Sequence, residues 1–206
     1  MDELRVLARL NEETQIHHAD ADGDVDRYLF CPNVTPHDYR TYLQRVYGLL
    51  VPLEAALASA PELDQIIDIR GRAKAALVAH DLFVLGMSLD EINALPQCMS
   101  VPTFRGPAAA LGWMYIVERP LLASAVIRGH LASYLPTEMA TASTYFMCYA
   151  GQVGAMWREL GLAMDRVAGS PAIADRIVVA AHDAFRTLHR WRTQELGRTG
   201  VIRYAG

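Results

Sequence analysis

Apolar residues recur every three or four positions along almost the whole chain, and alternating, strand-like runs with paired turn signals are scarce. Near the amino end, Leu4, Leu7, Leu10, Thr14, His18 and Ala21 form one stripe, which predicts a helix carrying His18 near its buried face. In "TPHD", Thr35 is a natural N-cap, Pro36 suits the first helical position and Asp38 closes a capping box. The helix that follows lines up Tyr39, Tyr42, Leu43, Val46, Leu49, Leu50 and Leu53 and runs to about Ala58, with Pro52 at most kinking it. Pro61 opens a further helical stretch to about Leu85, interrupted near Gly71. "SLDE" (Ser88 to Glu91) caps a short turn of helix, and "QCMSVPTFRGP" is a loop. A long helix is expected from Pro107 to Tyr134, kinked at Pro120, which removes a backbone hydrogen bond and crowds the preceding turn. Two last helices cover about Gly151 to Val167 and Ala172 to Leu196, separated by "GSP". The pattern predicts an all-α, single-domain bundle of about seven to nine helices.

Composition narrows the class. The 206 residues are 52% apolar and 20% charged, which suits one globular domain with a sizeable core. A net charge of -4 gives no general electrostatic attraction to nucleic acid. Cys31, Cys98 and Cys148 are odd in number and far apart, so they read as reduced thiols of a cytoplasmic protein. "MDELRVLARLNEET" carries charges throughout and does not read as a signal peptide. The apolar runs are broken well short of the ~18 residues of a membrane span, so no membrane association is expected.

Candidate chemistry concentrates in "NEETQIHHADADGDVD", residues 11 to 26. As a calcium loop beginning at Asp20 it fails, because Val25 stands where glycine must turn the chain and Cys31 where the bidentate glutamate belongs. His17 and His18 point about 100° apart on a helix and do not easily share one ion. The remaining pattern is His18 on the buried stripe with Asp22 one turn later. A carboxylate there can take the proton of one imidazole nitrogen and leave the other basic, as around metal-bound histidines. A lone histidine on an apolar stripe is more often one satisfied within the core.

"LNEETQIHHADAD" resembles the proximal helix of the heme oxygenases, with Leu10, Thr14, His18 and Asp22 on that family's L, T, H and acid positions. The likeness continues in "YRTYLQRVYGLLVPLEAAL" and in "AAALGWMYIVE", the latter similar to the distal helix of the bacterial, phytochrome-associated branch. "GQVGAMWREL" and "AFRTLHRW" resemble that branch's last two helices, so the match spans nearly the whole chain in order. The resemblance implies a heme between proximal and distal helices, His18 as axial iron ligand and Asp22 holding its imidazole. It implies oxidative cleavage to biliverdin, carbon monoxide and ferrous iron, with electrons from a separate reductase and a phytochrome as a recipient of biliverdin.

The departures from the family pattern are specific. Its distal run, of the form E-G-S-x-L-G-G, is here "ERPLLAS", with Arg119, Ala123 and Ser124 at the glycine positions and Pro120 supplying a kink. An arginine at the first position must swing away, bind a propionate or fill the space over the iron. Tyr115, one turn earlier, is placed for a propionate or a distal hydrogen bond. The lysine that commonly pairs with a propionate is Asn11, and Arg186 and Arg190, with His189 and Arg192, are candidates for the opposite propionate. Two readings follow: an active heme oxygenase with an altered distal pocket, or a heme- or bilin-binding relative that has lost oxygenation. A thiaminase-like enzyme is a third, but no cysteine here carries the marks of activation.

Overall fold

The computed structural model describes residues 4–193, apart from the side chains of residues 19–22, 24 and 26. Its helices are α1 (Arg5–Glu13), α2 (Gln15–Tyr28), α3 (Pro36–Ala58), α4 (Ala75–Val84), α5 (Leu89–Asn93), α6 (Pro107–Glu118), α7 (Ser124–Tyr134), α8 (Pro136–Thr141), α9 (Val153–Val167) and α10 (Pro171–Thr193). Short 3-10 turns cover Leu63–Gln65, Arg70–Arg72 and Arg119–Ala123. No strand occurs among the described residues, and the all-α architecture is the one expected.

Local chemistry explains where the helices start and stop. Thr35 caps α3 as expected: its hydroxyl accepts from the Asp38 N–H and the Asp38 carboxylate accepts from the Thr35 N–H. Ser88 and Glu91 do the same for α5. The amino-terminal stripe is not one helix but two, parted at Thr14. There the buried hydroxyl bonds back to the Leu10 carbonyl at 2.6 Å, a contact that competes with the helical ladder and bends it.

The stretch after Pro61 is also not the helix expected. Glu62 adopts a left-handed conformation (φ 62°), and the Asp68 carboxylate accepts the Gly71 N–H at 3.0 Å. This side-chain turn takes the hydrogen bond a helix needs, and regular helix resumes only at Ala75. The long helix at Pro107 is interrupted rather than simply kinked: α6 ends at Glu118, five residues wind as a 3-10 turn through Pro120, and α7 follows. By length and composition the 107–134 stretch is apolar enough to cross a membrane, but 67% of its most apolar window is buried in this fold, as in a core helix.

Two apolar clusters fill the interior. One gathers α1, α6, α9 and α10 with Leu49, Leu53 and Leu57 of α3. The other gathers the end of α2, α4 and α7 with Tyr39, Leu43 and Leu50 of α3. Val117 packs against both. α6 and α10 meet at Gly112, where an added Cβ would stand 2.4 Å from the Ile177 carbonyl oxygen; only glycine permits that approach. The result sets the 119–123 turn at the junction of the two clusters.

Candidate functional site

Thr14, the residue that parts α1 from α2, also fixes the histidine. Its Oγ1 lies 3.1 Å from Nε2 of half-buried His18. Because the single hydroxyl proton is directed at the closer Leu10 carbonyl, the network assigns the donated proton of the second contact to His18 Nε2. The expected acceptor was Asp22, whose side chain lies outside the described residues; the acceptor observed is Thr14. The His18 ring also stands 5.9 Å from Phe185 of α10.

Val25, seven residues after His18, shares its helical face. Val25 lines a cavity of about 400 Å³ together with Asn11 and Phe30. The facing wall is the 119–123 turn and the start of α7: Arg119, Pro120, Leu122, Ala123 and Ile127. Trp157 of α9 closes one side. The cavity falls within the usual ~300–1,000 Å³ of small-molecule sites, and its walls are mainly apolar. Pro120 also lines a narrower gap on the far side of the turn, between Tyr42 and Val46 of α3 and Leu188 and Trp191 of α10. A larger groove of about 730 Å³ along the start of α6 and α10 contains none of the expected site residues.

Tyr115 is fully buried between Trp157 and Phe185, with ring centroids 5.5 and 6.0 Å away. Burial raises its phenol above the ordinary value, against smaller opposite effects of Thr14 and the Arg119 guanidinium. Although Thr14 is its polar neighbour, Tyr115 Oη completes no hydrogen bond of good geometry, since Thr14 Oγ1 is already engaged by Leu10 and His18. An orphaned buried hydroxyl therefore lies behind the wall of the cavity.

The structure thus brings Asn11, Arg119 and Ala123 together at one cavity; Thr14, His18 and Tyr115 do not line it, and His18 and Tyr115 instead meet at Phe185. It does not bring Arg186 or Arg190 there. Arg186 is exposed and pairs with Asp183, and Arg190 donates to Thr187 Oγ1 at 3.2 Å; neither lines the cavity. Among the described residues no three His, Cys, Asp or Glu side chains converge to hold a metal ion by themselves.

Two arrangements escaped the pattern reading. His17 Nε2 meets His182 Nδ1 at 3.0 Å, although His182 shows no partner in sequence. The signal was its place on the α10 stripe with Phe185, which stacks on His17 at 5.4 Å. The second is Glu118, buried directly before the 119–123 turn. It accepts from Lys74 Nζ and Tyr149 Oη, each at 2.9 Å. Beside this carboxylate, burial and the negative charge push the Tyr149 phenol well up. A lysine inside an otherwise apolar run, "AKAALVAH", was the only hint.

A family model described as "Heme oxygenase" matches residues 4–194. No curated protein matches the chain.

Proposed function

Since this chain belongs to the heme oxygenase family, we propose that it takes heme as substrate between α2 and the 119–123 turn and cleaves it to biliverdin, carbon monoxide and ferrous iron. The observation that supports this reading is the cavity that Asn11 and Val25, before and after His18 in the chain, share with Arg119, Pro120 and Ala123. Its residues fit the group: apolar walls of Val25, Phe30, Leu122, Ile127 and Trp157 suit a flat ring, and Tyr115 offers an unused buried hydroxyl nearby.

Heme, when bound, supplies both the iron that activates dioxygen and the ring that is opened. The protein's part is to bind and orient. His18 is the side chain that would hold the iron, with Asp22 or Thr14 taking the proton of its other nitrogen. Arg119 offers a guanidinium to a carboxylate or to polar atoms above the ring, where the family's glycine would offer only backbone. Ile127 and Trp157 would cover the apolar side of the ring. Electrons come from a separate reductase, and a bacterial phytochrome is the proposed recipient of biliverdin, in the cytoplasm.

One observation favours a second reading. Arg119 is half-buried and stands in the cavity wall, at the position where the family pattern calls for glycine. A protein that binds heme or a bilin without turnover would be built this way. Titration of the purified chain with heme, followed by reductant and oxygen, separates the two. Decay of the Soret band with growth of biliverdin absorbance supports turnover; a stable heme complex supports the second reading, and no binding removes both.

A further inference from the structure

The groove of about 730 Å³ along the start of α6 and α10 shares no lining residue with the cavity proposed for heme. Half-buried Ile66, Val167 and Ile173 form its apolar wall, and the small side chains of Ala108 and Ala109 leave it wide. Val179 of α10 extends this wall and is 55% exposed, so apolar surface faces water here. The volume lies in the ~300–1,000 Å³ range of small-molecule sites, and such walls favour an apolar body.

Five charged side chains line the same groove: Glu62, Arg105, Asp175, Arg176 and Asp183. Two of the acids are held by arginines from outside it. Asp175 Oδ1 accepts from Arg9 Nη2 at 2.7 Å, and Asp183 pairs with Arg186. Among the described residues no hydrogen bond or ion pair engages Arg105, Arg176 or Glu62. The unpaired charge is therefore two positive against one negative. Both arginines are exposed, so each can turn its guanidinium to a ligand without breaking a contact.

A guanidinium fork matches the two oxygens of a carboxylate or of a phosphate. The acids in the wall decide between them. A phosphate monoester carries a charge of about -1.5 to -2 and meets more repulsion from Glu62, Asp175 and Asp183 than a singly charged carboxylate does.

We propose that this groove binds a carboxylic acid with a bulky apolar body, its carboxylate accepting from Arg105 and Arg176 and its body lying along Ile66, Val167, Ile173 and Val179. The site does not depend on heme.

Fluorescence titration of the full chain, without heme, tests it with pyrenebutyrate, pyrenebutanol, pyrenebutylamine and pyrenebutyl phosphate. Pyrenebutyrate is expected to bind saturably and tightest of the four, with the alcohol and the amine weaker by roughly tenfold or more. Arg105→Gln and Arg176→Gln should each weaken pyrenebutyrate by about threefold and together by about tenfold, as exposed ion pairs do. Both side chains are exposed and unpaired, so the variants are expected to fold. Arg158→Gln, an exposed arginine of α9 outside the groove, should leave the affinity unchanged. Four results each overturn the site: no saturable binding of pyrenebutyrate; the alcohol, amine or phosphate binding as tightly as the acid; undiminished binding in the double variant; or equal weakening by Arg158→Gln.

Discussion

His17 Nε2 stands 3.0 Å from His182 Nδ1, joining α2 to α10 beside the ring of Phe185. One ring must donate and the other accept, so the contact requires at least one neutral imidazole. It fixes the rotation of α2 about its own axis. His18, the next residue, then lies about 100° further round the helix, toward the face that Val25 turns to the cavity. Under the proposed function the neighbouring histidines divide two tasks: one orients the helix and the other would hold the iron.

Replacing His18 by alanine tests that division. The ring is half-buried and its contact with Thr14 is local, four residues back in the chain, so the fold is expected to survive. Heme added to His18→Ala should show a changed Soret position and lose the spin-resonance signature of histidine ligation, with the helical circular dichroism unchanged. A heme spectrum identical to that of the unaltered chain would refute the axial assignment.

Arg119→Gly tests whether the guanidinium in the cavity wall limits turnover. Its backbone is helical (φ -56°, ψ -45°), so glycine costs about 1 kcal/mol of stability and no strain is relieved. Heme turnover, read as loss of the Soret band under reductant and oxygen, is expected to rise by about tenfold, equivalent to ~1.4 kcal/mol on the barrier. No gain in rate would mean that the guanidinium is not the obstruction.

Glu118→Gln leaves Lys74 buried beside a neutral partner. Side chains only 3% exposed on both sides make this an expensive change, about 3–5 kcal/mol. Urea denaturation of the single variant and of Glu118→Gln with Lys74→Met should show the double variant recovering part of the loss. Equal midpoints for the unaltered chain and Glu118→Gln would show that the pair contributes nothing.

The α3 cap predicts a pH dependence. The Thr35 hydroxyl, and then its backbone N–H, hold the Asp38 carboxyl below its ordinary value. A depressed folded-state value means that the stabilisation is present above the ordinary carboxylate range and is lost as pH falls through the depressed one. Asp38 is only half-buried, so Asp38→Asn is expected to cost no more than about 1 kcal/mol at pH 7 and nothing near pH 2. Thermal melts at the two pH values check the difference.

What the sequence made legible was local. The α3 cap needs only Thr35, Pro36 and Asp38, and the helical stripes need only their own spacing. Thr14 looks like one more position on a stripe, because nothing in the pattern reveals that its hydroxyl turns back on Leu10. After Pro61 a single side-chain turn at Asp68 outweighs the helical propensity of the segment, which its apolar spacing does not reveal. The order of motifs along the chain nominates His18, Arg119 and Ala123, of which Arg119 and Ala123 line the cavity. Lys74 and Glu118, or His17 and His182, are 44 and 165 residues apart, and no spacing rule connects them.

α3 contributes Leu49, Leu53 and Leu57 to one apolar cluster and Leu43 and Leu50 to the other, and Val117 serves as a party wall between them. Neither half therefore owns a complete oily interior, and neither can survive the other's collapse. Heating should dissolve the molecule in one calorimetric event, with van't Hoff and measured enthalpies equal; two resolved peaks would show the halves to be autonomous.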